Sequence, residues 1–163
     1  MVAQNIAFGV LAFAIIVAAL KVVTTSNIVH AALWLVAVLA GIAANFILLA
    51  AEFVAAAQVL VYIGAIVVLF LFGIMLTRAP MGKAPDLNSD QWPVAVIVAL
   101  TLAGTLGYVL IDAFGDEELP ERLQGGTGEV GDAIFSTFLI PFEVVSVLLL
   151  AALIGAIVLA RRD

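Results

Sequence analysis

Of 163 residues, 66% are hydrophobic and 11% charged, with a mean hydropathy of +1.30; soluble domains carry about 45–50% apolar and about 25% charged residues. The composition is that of an integral membrane protein and leaves no extramembrane stretch able to bury a core of its own. The absence of cysteine excludes disulfides and thiolate ligands, the single His30 cannot alone make a multi-histidine metal centre, and a net charge of -6 without a basic patch excludes nucleic acid as a partner.

At roughly 20 residues per crossing, the chain predicts an all-α membrane domain of five spans. The first covers about 6–23; no basic region precedes it, so it reads as a span rather than a cleavable signal peptide. The polar TTSN follows, where Ser26 or Asn27 is expected to cap the second span, about 28–50. That span holds His30, Gly41 and Asn45; Asn45, well inside, is expected to hydrogen-bond across a helix interface. A very short link around Glu52 then makes a tight antiparallel hairpin with the third span, about 53–77.

Arg78, Pro80, Gly82 and Pro85 end that span. The fourth, about 92–111, opens on Trp92-Pro93 and offers Gly104 and Gly107 as a small-residue face for close helix contact. Residues 112–136 form an acidic loop with seven carboxylates against Arg122 alone, and their spacing is not that of a calcium loop. The fifth span runs over about 138–160 and stops at Arg161-Arg162-Asp163. Lys21, Arg78, Lys83, Arg161 and Arg162 fall on one side and Arg122 on the other, which predicts a cytoplasmic C-terminus and an outward N-terminus, acidic loop and Glu52 turn.

The third span carries the densest set of polar marks in the membrane. Polar groups in hydrocarbon cost several kcal/mol unless they find partners or water. Glu52 reads equally as a hydrated interfacial carboxylate or as the mouth of a proton relay. Gln58 and Tyr62, four apart on one helical face, are able either to support ordered water or to lock two helices together. Gly64 permits close approach or a local π-bulge, a departure often found at functional positions. Glu143, just inside the last span, calls for a partner or water; it and Glu52 lie toward the same side, where the two carboxylates are able to approach one another. No Ser–His–acid set, phosphate-cradling loop or metal-ligand cluster is present, so the chain alone offers no catalytic centre.

The stretch EFVAAAQVLVYIGAIVVLFLFGIML, residues 52–76, resembles the signature helix of the J subunit (subunit 6) of proton-pumping NADH–quinone oxidoreductase, respiratory complex I. Its matching elements are Glu52, Gln58, Val61-Tyr62-Ile63-Gly64-Ala65-Ile66 and Val68-Leu69-Phe70-Leu71-Phe72. The similarity extends to SNIVHAAL at the second span and LIPFEVVSVLLLAALIGAIVLARR at the last, although Asn27-Ile28 stands where family members often have Asn-Pro. The resemblance implies a non-catalytic subunit in a bacterial cytoplasmic membrane, among other membrane and peripheral-arm subunits, with flavin, iron–sulfur clusters and quinone held elsewhere in the complex. It further implies a π-bulge around Tyr62, Ile63 and Gly64 as the conformational element that couples quinone reduction to proton translocation, with Glu52 and Gln58 supporting a relay and Glu143 meeting a neighbour. Two other readings stand beside it: a small stand-alone transporter or channel, and a purely structural assembly subunit.

Overall fold

A computed structural model describes residues 2–77, 91–115 and 126–161. All described elements are helices, and five of them are long and apolar enough to cross a membrane. They are α1 (Val2–Thr24), α2 (Ile28–Leu48), α3 (Glu52–Leu76), α4 (Trp92–Phe114) and α6 (Leu139–Ala160); a short helix, α5 (Thr127–Phe135), precedes the last. Arg78, Lys83, Arg122 and Arg162, four of the six basic residues behind the expected orientation, lie outside the described residues, as do Asp116, Glu117, Glu118 and Glu121 of the acidic stretch.

Local chemistry sets the turns. Asn27 is the residue that caps α2: its side-chain oxygen accepts from the backbone N–H of Val29 at 2.9 Å and of His30 at 3.2 Å, satisfying two of the donors that a helix start leaves open. At the other end, the N–H of Ala50 donates to the carbonyl of Ile47 and that of Ala51 to Phe46. This paired closure is a Schellman turn, and it puts Ala50 at φ 56°, a left-handed position usually given to glycine. The chain therefore reverses over Leu49–Ala51, and α2 stops at Leu48 rather than running to residue 50. Gln4 of α1 donates its side-chain amide to the carbonyl of Leu48 at 2.7 Å, so the start of α1 lies against the end of α2.

Helices α1, α2 and α3 pack in sequence, with α2 in the middle. The buried residues are few and small: Ala18 on α1, Ala32 and Ala43 on α2, Ala55, Gln58 and Val67 on α3. Small side chains let helix backbones approach where lipid gives no hydrophobic drive for association. Gly41 marks the tightest approach, since a Cβ there would stand 2.5 Å from Cγ1 of Ile15 on α1.

Two departures from the expected layout concern the stretch read as a loop over 112–136. Its first residues, Asp112 to Phe114, continue α4, and residues 127–135 are helical. Val130, Ala133 and Ile134 are half-buried while Glu129 and Asp132 are exposed, and α5 lies against the Glu52–Ala57 end of α3. The i, i+3, i+4 spacing of apolar residues gives this helix one face to bury. By contrast, no Cα of α4 comes within 8 Å of another described helix, and α6 approaches only α5.

Candidate functional site

The third span is one continuous helix with a changed middle. Glu52–Ala57 is α-helical, Gln58–Val67 is π-helical, and Val68–Leu76 returns to the α form. Tyr62, Ile63 and Gly64 lie inside the π segment. Its i→i+5 bonds widen the turn to a little over four residues, so residues nine apart come back to the same face after about two turns. In an α-helix nine residues make about 2.5 turns of 3.6 and end on opposite faces. Gln58 and Val67 are nine apart, and both are buried, at 8% and 3% exposure. The π geometry is what brings these two buried residues to one face of the helix.

Val59, Leu60, Val61, Tyr62 and Ile66 of the π segment are all exposed in the single chain. Tyr62 is 48% exposed although Gln58, four residues earlier, is buried; the shared environment expected of an i, i+4 pair is not what the helix gives them. Ile63 is half-buried and Gly64 is exposed. A Cβ built on Gly64 would meet only the carbonyl oxygen of Val59, at 3.4 Å, an ordinary contact. Gly64 is therefore not required by crowding. What it supplies is backbone freedom in the part of the span where hydrogen bonding departs from the α pattern.

Glu52 is exposed at the first position of α3. The unpaired N–H groups of a helix start favour a negative charge there, so the fold accommodates this carboxylate with no further partner. Glu143 is exposed on α6, one residue beyond Phe142. No Cα of α6 comes within 8 Å of α3, and α5 is the element that touches both helices. Among the described residues, no group of three or more His, Asp or Glu side chains gathers in metal-binding geometry.

Three features of this region were not anticipated from the residues. Asn45 does not make the cross-helix bond expected of it; its Oδ1 is buried and meets no donor among the described residues. Val67 carries no chemical signal, and its burial follows from the altered helical repeat. The α5 helix did carry a signal, the spacing of Val130, Ala133 and Ile134, but two acidic residues and the neighbouring glycines obscure it.

Residues 18–159 match the family described as NADH-ubiquinone/plastoquinone oxidoreductase chain 6. The chain is 46% identical to the NAD(P)H-quinone oxidoreductase chain 6 of Synechocystis sp., over 98% of this chain and 82% of that protein. It is 41% identical to the chloroplastic NAD(P)H-quinone oxidoreductase subunit 6 of Chlorokybus atmophyticus, over 92% of this chain and 79% of that one. It is 40% identical to the F(420)H(2) dehydrogenase subunit J of Methanosarcina mazei, over 98% of this chain and 92% of that one.

Proposed function

The chain belongs to the NADH-ubiquinone/plastoquinone oxidoreductase chain 6 family, and from that premise we propose that its π-helical segment couples quinone reduction to proton movement. It is a membrane subunit of an NADH–quinone oxidoreductase, an enzyme complex to which it contributes helices rather than a complete active site. Its partners are other subunits of that complex, and we assign the flavin, iron–sulfur clusters and quinone to them.

The observation that carries the coupling role is the π segment Gln58–Val67 in the middle of a membrane span. A helix of this kind has an accessible α alternative. Conversion would turn everything beyond the segment by roughly half a turn relative to Gln58, taking Val67 out of its buried position and carrying Tyr62 around the axis. That is a discrete two-state element of the sort that conveys a change at one site to another. In this reading Tyr62, Ile63 and Gly64 form the moving part, Glu52 and Gln58 support proton access, and Glu143 meets a neighbouring subunit.

The relatives support a role on the membrane side of the reaction. Those named for NAD(P)H and the one named for F(420)H(2) match this chain at similar identity, 46% and 40% at the ends of the range quoted. A subunit that selected the electron donor would be expected to diverge between them. We place the C-terminus on the cytoplasmic side on the basis of the basic residues, and the bacterial cytoplasmic membrane as its location follows only from the family resemblance.

The test is the complex carrying Gly64→Ala, or lacking Ile63, purified from native membranes. Alanine fits at residue 64 without a clash and favours a regular helix over glycine by about 1 kcal/mol; removing Ile63 takes out a residue that the wider turn accommodates. The expected result is quinone reductase activity near the parent level with a lowered proton-to-electron ratio. An unchanged ratio in a variant whose third span is shown to be α-helical would sink the coupling role and leave an assembly subunit.

A further inference from the structure

Helix α5 joins two parts of the chain that otherwise do not meet. It lies against the Glu52–Ala57 end of α3, the turns that lead directly into the π segment, and it adjoins α6, which approaches no other described helix. One backbone bond spans the corner between α5 and α6, and one further bond holds the end of each helix beside it. The N–H of Phe138 donates to the carbonyl of Ala133 at 2.9 Å, the N–H of Phe142 donates to Phe138 at 3.0 Å, and the Ser136 hydroxyl donates to the carbonyl of Asp132. Across this corner the rings of Phe135 and Phe142 meet edge to face, centroids 5.2 Å apart and planes at 66°, an arrangement aromatic pairs prefer. Glu143 is the next residue.

We infer that α5 is a bracket that fixes the start of α6 relative to the start of α3, and that Phe135 is the positioning residue through which it holds Glu143. Its polar face, with Glu129 and Asp132, is exposed, and its half-buried face holds Val130, Ala133 and Ile134. The Phe138–Ala133 bond and the Phe135–Phe142 ring contact tie the end of α5 to the first turn of α6. A displacement of the α3 entrance is therefore passed to the turn that bears Glu143. Phe135 is 66% exposed, so truncating it loosens the corner without opening a void in a packed core.

This inference uses the family reading for the assembly in which it is tested, and it does not depend on the π segment changing form. The experiment is a distance measurement in the purified complex. Spin labels are attached through azide-bearing residues at positions 56 and 147, in parent and Phe135→Ala complexes, and proton-to-electron ratios are measured on the same preparations. The label distance distribution is expected to broaden in Phe135→Ala, with a partial loss of the proton-to-electron ratio, and Phe135→Tyr, which keeps the ring, is expected to restore both. A distribution as narrow as the parent's overturns the bracket. A broadened distribution with an unchanged ratio overturns the positioning role and leaves α5 as packing alone. If Phe135→Ala fails to assemble, Phe142→Leu opens the same contact from the α6 side and is read in the same way. Failure of the Gly64 test with success here would remove the π-helical switch and keep the bracket.

Discussion

At the scale of single residues, the fold is set by side chains that are small or capable of one well-aimed bond. Gly41 is the sharpest case. A Cβ at that position would stand 2.5 Å from Cγ1 and 3.0 Å from Cδ1 of Ile15, and β-branched Ile15 has little freedom to swing away inside a helix. Gly41→Val is therefore expected to force α1 and α2 apart at a cost of about 1–3 kcal/mol, seen as reduced recovery of the chain in purified complexes and a lower temperature of loss on heating. Ile15→Ala alone should cost less, and the pair should recover part of the Gly41→Val loss; a double variant no better than Gly41→Val would show that the strain lies elsewhere. Residue chemistry of this kind was partly legible in advance. Asn27 followed from the rule for helix starts, since an amide before a hydrophobic run has a backbone donor waiting. Asn45 did not, because whether a buried amide finds a partner depends on the side chains opposite it. The same reason hid what lies between Glu52 and Glu143: both glutamates lie toward one end of their spans, but the helix between them is visible only once the backbone is traced.

At the scale of elements, five spans were plain from hydropathy because the bilayer fixes their length and polarity. The ends were less plain, since a last turn is decided by caps and turn geometry rather than by hydrophobicity. The form of α3 was not readable from its residues at all. A shift from i→i+4 to i→i+5 bonding uses the same backbone groups and leaves the side-chain types unchanged, so Gly64 permitted the change without specifying it; the family resemblance supplied the expectation of a bulge. Burial now gives a test of the helical repeat that needs no activity measurement. Val67 is 3% exposed and its neighbour Val68 is 57% exposed. Val67→Phe should therefore overpack the α2–α3 contact by about 1–3 kcal/mol, lowering the amount of chain recovered, whereas Val68→Phe should be tolerated in the chain itself. A repeat that remained α-helical from Gln58 onward would put Val67 on the face opposite Gln58, and equal tolerance of the two substitutions would contradict the π geometry.

For the whole molecule, α1, α2 and α3 make a packed unit while α4 and α6 have almost no neighbours of their own. Every described residue of α6 that is large and apolar is exposed, from Leu139 to Leu159, and α4 comes near no other described helix. Among the described residues the outer helices leave their apolar surfaces uncovered, which fits a subunit whose outer helices meet other subunits of the complex. Gly104 and Gly107 on α4 separate that role from internal packing, because a Cβ at either glycine would meet nothing within 4 Å among the described residues. A penalty for enlarging them is then expected to come from a neighbouring subunit. Gly104→Leu and Gly107→Leu are thus expected to leave the chain inserted in the membrane at parent levels but to reduce its co-purification with the other subunits about tenfold, the effect of losing about 1.4 kcal/mol of association. Leu102→Phe, on the opposite side of the same helix, serves as the control and should co-purify normally. If both leucine variants assemble like the parent, the glycine face points to lipid, and α4 joins the complex through another side.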